Sequence, residues 1–239
     1  MAIIHKTTLT PGKLDLLKVW LPAQPWYQDT GREPDLIKAG GFRLDDPQGE
    51  VGIEFMVVTD GSGDRGTTYL VPLTYRASAR EGGDGALIGT TEHGVLGRRW
   101  VYDGTRDPVL ASQLVALIQG EAEPQAQSLS HTPDPTVIVT PVAGGPPGQV
   151  TVRVNRILRP DGAEGTDGAE GAEGAEGAEG AGDNPGNGAA ASPAGEDWQP
   201  CLSATWHRPD GSRARGVFAT ARPASALRGD LGVVDEAPA

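Results

Sequence analysis

Leu87 to Pro108, LIGTTEHGVLGRRWVYDGTRDP, decides the fold. Its pattern predicts two short strands, Leu87 to Tyr102, joined by a turn near Glu92-His93-Gly94, with Asp103-Gly104 ending the second. Asp107 then stands as a helix N-cap, with Pro108 at the first helical position, where its missing N–H costs nothing. Leu110, Leu114, Leu117 and Ile118 recur at helical spacing as a buried stripe, and Gly120 supplies the stop. The stretch also gathers polar side chains beside bulky apolar ones. Glu92, His93, Arg98, Arg99, Trp100 and Tyr102 are therefore the candidate contact residues for a partner or ligand.

Outward from that hairpin the strand signals continue. Glu50 to Thr59 alternates with Val51, Ile53, Phe55 and Val57 on one face, while Met56 and Val58 partly cover the other, so it reads as a central strand. Asp60 to Gly66, DGSGDRG, is a hairpin connection. Tyr69 to Arg76 returns antiparallel, and Pro72, lacking a donor, predicts an edge or a bulge there. A shorter strand is expected over Phe42 to Asp46. Nearer the start, Ile3 to Thr8 reads as a strand. Thr10-Pro11 reads as a helix start, with Leu14, Leu17 and Leu21 on the buried face and Pro22 as the end. Trp26 and Tyr27 follow, two rings that either cover the open end of the core or stack on a sugar.

After the second helix, Glu121 to Pro135 reads as a linker or surface loop. Thr136 to Thr140 and Gln149 to Leu158 read as strands, the latter with Val150, Val152 and Val154 facing inward. From Gly162 to Gly180 glycine recurs every third residue, mostly as Gly-Ala-Glu. The triplets contain no proline and each carries a negative charge, so the stretch suits a disordered insert better than a triple helix. Order returns at Trp198. Cys201 to His207 and Gly216 to Ala221 form a hairpin around the turn Arg208-Pro209-Asp210-Gly211, and the end from about Ala224 is expected to fray. The resulting division is a first unit over 1–123, linker and strands over 124–159, the acidic insert over 160–197, a hairpin over 198–223 and a tail over 224–239.

Composition narrows the function. The 239 residues carry a net charge of −12, but ten acidic residues and no Lys or Arg fall between Pro160 and Asp197, so the remainder is close to neutral. No basic stripe suits a nucleic acid, and no apolar run reaches the roughly 18 residues of a membrane span. The sequence opens without the apolar region of a signal peptide, so a cytoplasmic protein is expected. The excess of Arg over Lys, with abundant Ala, Gly and Pro, fits a high-GC bacterial genome. Cys201 is the single cysteine, and His5, His93, His131 and His207 are scattered, so no metal site and no cofactor is expected. Gly61 to Gly66 has the letters GxGxxG but precedes a strand, and no glycine cluster is followed by the lysine of a phosphate loop. No residue is assigned a catalytic role. Of Arg98 and Arg99, one is expected to face inward, pairing with Glu54 or Glu92; the open alternative is a contact to an anion or a partner.

The run Leu87 to Asp103 with Asp107-Pro108 resembles the signature of the maltokinase N-terminal cap domain. Val51-Gly52-Ile53-Glu54-Phe55 and Tyr69-Leu70-Val71-Pro72-Leu73-Thr74-Tyr75-Arg76 are similar to the same family. So is Trp20-Leu21-Pro22-Ala23-Gln24-Pro25-Trp26-Tyr27, with Pro25 where a basic residue is expected. The resemblance covers most of residues 1 to 120. It implies an α+β fold, a cystatin-like cap: an antiparallel sheet with packed helices, here extended by C-terminal strands. In full maltokinases this cap precedes a kinase body that phosphorylates maltose with ATP and feeds glycogen synthesis. No catalytic-loop or metal-binding motif of that kind follows residue 120, so no kinase residue carries over. The resemblance therefore implies a non-catalytic binding or regulatory protein of α-glucan, glycogen and maltose metabolism. Its expected partners are a glucan-metabolism enzyme or kinase-type protein, or α-glucan or maltose itself. The alternative is an enzyme of the same pathway, a maltose kinase-like phosphotransferase or a branching-type transferase.

Overall fold

The computed structural model describes residues 8–61, 66–140, 150–162, 199–223 and 233–235. Most of the expected strand at Ile3 to Thr8, the middle of the DGSGDRG connection, the Gly-Ala-Glu run and Trp198 lie outside the described residues.

The strands are β1 (Leu9–Thr10), β2 (Leu36–Leu44), β3 (Gly52–Asp60), β4 (Thr67–Arg76), β5 (Leu87–His93), β6 (Gly97–Asp103), β7 (Gln125–Ala126), β8 (Ile138–Val139), β9 (Val150–Val154), β10 (Ile157–Leu158), β11 (Gln199–His207), β12 (Arg213–Pro223) and β13 (Val233–Asp235). Two helices join them, α1 (Lys13–Trp20) and α2 (Pro108–Ile118). The first sheet runs β1-β5-β6-β4-β3-β2-β7, with β10 also on β4, and its pairs are antiparallel. The second runs β13-β9-β12-β11-β8. The fold is α+β, as the resemblance implies.

Strand β3 lies between β2 and β4 and is buried on both faces. Ile53, Phe55 and Val57 pack with α2 and with Val152, Val154, Leu202, Trp206 and Phe218 of the second sheet. Met56 and Val58 pack with Leu17 and Leu21, and with Trp26, Tyr69 and Val101. The first sheet is thus covered by α1 on one side and by α2 and the C-terminal strands on the other. Aromatic rings knit the two sheets together. Phe42 stacks on Phe55 at 4.5 Å, and Phe218 lies 6.3 Å from Phe42 and 6.1 Å from Trp206. Trp26 is buried and Tyr27 stacks on Tyr69 at 5.6 Å, so these rings close the α1 side of the core.

Several boundaries differ from the sequence reading, each for a physical reason. Helix α1 starts after Gly12, whose N–H donates to Asp15 Oδ2 at 3.0 Å, because Thr10 is already paired with Glu92 in the sheet. Strand β2 begins at Leu36, well before Phe42, and carries a register shift at Lys38–Gly40 that the glycines permit. At Gly41, with φ +127°, a Cβ would collide with the Phe55 carbonyl and lie 2.9 Å from Gln127 Nε2, so glycine is required there. The turn of the deciding hairpin falls at Gly94-Val95-Leu96, two residues later than expected. Within Glu121 to Pro135, read as a linker or surface loop, the two residues of β7 pair with Phe42 and Arg43 of β2. Val233–Asp235 pairs in parallel with β9, where a frayed end was expected.

Pro72 is neither at an edge nor in a bulge. Strand β4 pairs with β3 through its whole length without a shift, and its other side is shared, β10 against Thr68 and Tyr69 and β6 from Leu73 onward. The N–H of Leu70 donates to the Arg156 carbonyl on that shared side. Position 72 points the same way along a strand, so the proline's missing donor falls in the gap between β10 and β6. The run Gln149 to Leu158 likewise breaks in two, because the chain leaves one sheet at Asn155-Arg156 and joins the other at Ile157.

Candidate functional site

Alternation along β3 sends Ile53 and Phe55 to the α2 side and Glu54 to the α1 side. Glu54 is buried at 2% exposure, in a place where an unpaired carboxylate would be costly. Three elements converge to satisfy it. Lys13, the first residue of α1, donates to Oε2 at 2.6 Å; the Tyr75 hydroxyl of β4 donates to the same oxygen at 2.6 Å; and Gln127, just after β7, donates to Oε1 at 2.7 Å. Burial pushes the Glu54 carboxyl up. The Lys13 charge and hydrogen bond, the Tyr75 hydrogen bond and the Lys38 charge outweigh it and hold the group below its ordinary value. Burial and the adjacent Glu54 charge push the Tyr75 phenol well above its ordinary value. Lys38 is depressed by burial, with Glu54 opposing that shift and Lys13 adding to it.

Around this node the end of the sheet opens into a cleft of about 910 Å³. Glu54 and Tyr75 line it, together with Lys13, Arg43, Arg80 and Arg99, and Leu9 and Leu96 supply its apolar wall. The cleft is a binding-sized concavity with charged groups converging on it.

The six hairpin residues do not form one patch. The register opposes Glu92 to Arg98 and Thr90 to Trp100 on one side of the hairpin, and Thr91 to Arg99 on the other. Glu92 and Arg98 form an exposed ion pair at 2.8 Å, while Trp100 is half-buried. His93 and Arg99 turn to the α1 side and line the cleft. His93 Nδ1 accepts the N–H groups of Val95 (3.3 Å) and Leu96 (3.1 Å), which shapes the turn. Tyr102 is buried, and its hydroxyl accepts the N–H of Arg80 at 2.8 Å, so its ring lies beneath the surface. Of the two partners considered for Arg98 and Arg99, Glu92 takes Arg98, while Glu54 is held by Lys13 instead.

Two polar nodes support this arrangement. Asp107 caps α2 by accepting the Val109 N–H at 3.0 Å, as its position before Pro108 predicts. It also takes a bidentate guanidinium from Arg76 (2.8 and 2.7 Å) and the Thr74 hydroxyl (2.9 Å). Burial pushes the Asp107 carboxyl up, but the Arg76 and backbone hydrogen bonds bring it below its ordinary value. Sequence reasoning missed the second node. Arg156 is 1% exposed and donates to Asp103 at 2.8 and 2.6 Å and to Thr105 Oγ1 at 2.8 Å, with its guanidinium 4.9 Å from the Trp26 ring. The signal was present. Position 156 shares the inward parity of Val152 and Val154, so an arginine there announces a buried counter-charge.

Fold and site together define an α+β module: a curled antiparallel sheet covered by α1 on one face and by α2 and the C-terminal strands on the other, with a charged cleft at one end. Residues 20–107 match the family model described as the maltokinase N-terminal cap domain. The matched segment contains β2 to β6 and ends on the Asp107 cap. No curated protein matches the chain. Among the described residues no helix is long and apolar enough to cross a membrane.

Proposed function

We propose that this chain is a non-catalytic binding or regulatory protein of maltose and α-glucan metabolism, acting in the cytoplasm on a glucan-metabolism enzyme or kinase-type protein, or on the glucan itself. The observation that carries the reading is the match of residues 20–107 to the maltokinase cap domain. The packing of the remaining strands supports it, since β9, β11 and β12 are spent in covering the α2 side of the cap sheet. The contact surface is the β5–β6 hairpin. Val95 and Leu96 are exposed at its tip, Glu92, Arg98 and Trp100 flank one side, and His93 and Arg99 the other. Buried Tyr102 supports it from below.

The test is calorimetric titration of the purified protein with maltose and maltoheptaose, beside affinity capture from the native cell. Sugar binding, or recovery of a glucan-metabolism enzyme lost in Val95→Asp or Leu96→Asp variants, supports the proposal. Detection of neither sugar binding nor such an enzyme would overturn it.

A further inference from the structure

The second sheet turns one face to the core, with Val152, Val154, Ala204, Trp206, Ala214 and Ala221. By alternation its outer face takes Arg153 of β9 and Arg213, Arg215 and Arg222 of β12. The register sets Arg153 opposite Thr220, Arg222 opposite Thr151, Arg215 opposite Thr205 and Arg213 opposite His207. Strands β9, β11 and β12 contain no Asp or Glu. Arg213 and Arg215 are exposed, and Arg153 and Arg222 are half-buried. These arginines are scattered along the sequence, so no stripe marks them; the pairing of β9 with β12 gathers them on one face. A face of one sign attracts groups of the other.

One acidic segment of this chain begins and ends on that sheet. The ten acidic residues between Pro160 and Asp197, with no Lys or Arg among them, start at Asp161. The Asp161 N–H donates to the Arg215 carbonyl at 2.7 Å, and its carboxylate lies 3.9 Å from Arg215 Nε. The chain therefore enters the Gly-Ala-Glu run beside Arg215, level with Thr205 of β11, and comes back at Gln199, opposite Ala221 at the other end of β11. At about 3.3 Å per strand residue those two points are roughly 20 Å apart, several times less than the extended reach of the chain between them.

We propose that the Gly-Ala-Glu run, 162–180, docks on the outer face of the second sheet, its carboxylates pairing with Arg213 and Arg215 and continuing toward Arg153 and Arg222. Each such surface pair is weak and screened by salt. Attachment of the run at both ends of one hairpin raises its effective concentration at the face, and a carboxylate at every third residue keeps several within reach at once. The glycines and alanines between them add little bulk to obstruct the approach.

The inference stands apart from the proposed function, since it requires no maltose binding and no partner protein. Its test is paramagnetic relaxation in the full chain, with a nitroxide on Ala175→Cys; Cys201 is buried and stays unlabelled. The comparison protein carries the same label with Glu170→Gln, Glu173→Gln, Glu176→Gln and Glu179→Gln together, which keeps the tether and removes the charge. At low salt the amide signals of Thr205, Arg215 and Thr220 should be at least about twofold weaker in the parent than in the glutamine protein. Those of Leu14 and Val19, on α1 across the first sheet, should be equal in the two. At about 0.5 M salt, where screening acts within a few ångströms, the difference should vanish. Arg213→Gln with Arg215→Gln should also remove it, with circular dichroism checking that this variant is folded; the glutamine protein changes none of the described residues, so it serves if the arginine variant is not. Equal broadening in the parent and the glutamine protein overturns the proposal and leaves the face to an anionic partner outside the chain. A difference that persists at high salt, that survives in the folded arginine variant or that falls on α1 instead also overturns it. So does broadening that grows with protein concentration, which assigns the run to a second copy.

Discussion

Replacing Arg156 with leucine removes the guanidinium that pairs with Asp103 and lies against Trp26. Asp103 belongs to the segment that matches the cap family, and Arg156 lies about fifty residues beyond it. In the variant the Asp103 carboxyl stays buried without its guanidinium partner. It keeps the Thr105 N–H at 3.2 Å and the Thr105 hydroxyl at 2.9 Å, but loses both guanidinium bonds. Removing one partner of a buried pair costs roughly 3–5 kcal/mol. The Thr105 bonds and the apolar bulk of leucine place this case at the lower end, about 3 kcal/mol, or a fall in melting temperature of roughly 6–12 °C for a chain of this size. Urea unfolding followed by tryptophan fluorescence and by circular dichroism measures it. Adding Asp103→Asn removes the orphaned carboxyl while leaving an acceptor for Thr105, so the double variant should recover part of the loss. Parent and variants should each unfold in one transition common to both probes, because the C-terminal strands and the first sheet share a core. A loss under about 1 kcal/mol for Arg156→Leu, or two separate transitions in the parent, would refute the reasoning.

Acid should destabilise the protein through Glu54 and Asp107. Both carboxyls are held below their ordinary values of 4.5 and 3.8 in the folded state, so the unfolded chain binds more protons. Their contribution is complete above those ordinary values and is lost as pH falls through the depressed folded ones; melting temperature against pH should show this, with a shallower fall in Glu54→Gln. Gly41→Ala should cost about 2 kcal/mol or more, because its Cβ meets the Phe55 carbonyl at a φ that side chains rarely adopt. A melting temperature equal to the parent's would contradict that. Cys201 should resist thiol reagents until the chain unfolds. It is buried, its Sγ lies 3.3 Å from the Ala219 carbonyl, and burial pushes the thiol up to about 12. Labelling of the native protein at the rate seen in denaturant would count against this.

Much of the fold was legible because its strongest signals are local. Asp107-Pro108 states a helix start in two residues, and the two-sided apolar pattern of Glu50 to Thr59 states a central strand. What escaped depends on partners distant in sequence. Nothing near Gln125 announces that it will edge the sheet beside Phe42, and Gln127 gains its meaning only from Glu54, 73 residues earlier. Pro72 suggested an edge or a bulge, and only the arrival of β10 and β6 on the same side shows that its missing donor falls in the gap between them instead. The candidate site was half legible. Hairpin residues were found by their unusual density, yet their division between two faces follows from a turn placed two residues later. The cleft's remaining walls, Lys13, Glu54, Tyr75 and Gln127, come from four separate elements, and no single stretch of sequence lists them together.

The proposed role is binding without phosphoryl transfer. Incubating the purified protein with maltose and ATP labelled at its terminal phosphate tests that claim most directly. No labelled sugar above the protein-free blank is the expected result. Labelled maltose forming in proportion to the protein added, and abolished by heat denaturation of the protein, would contradict it.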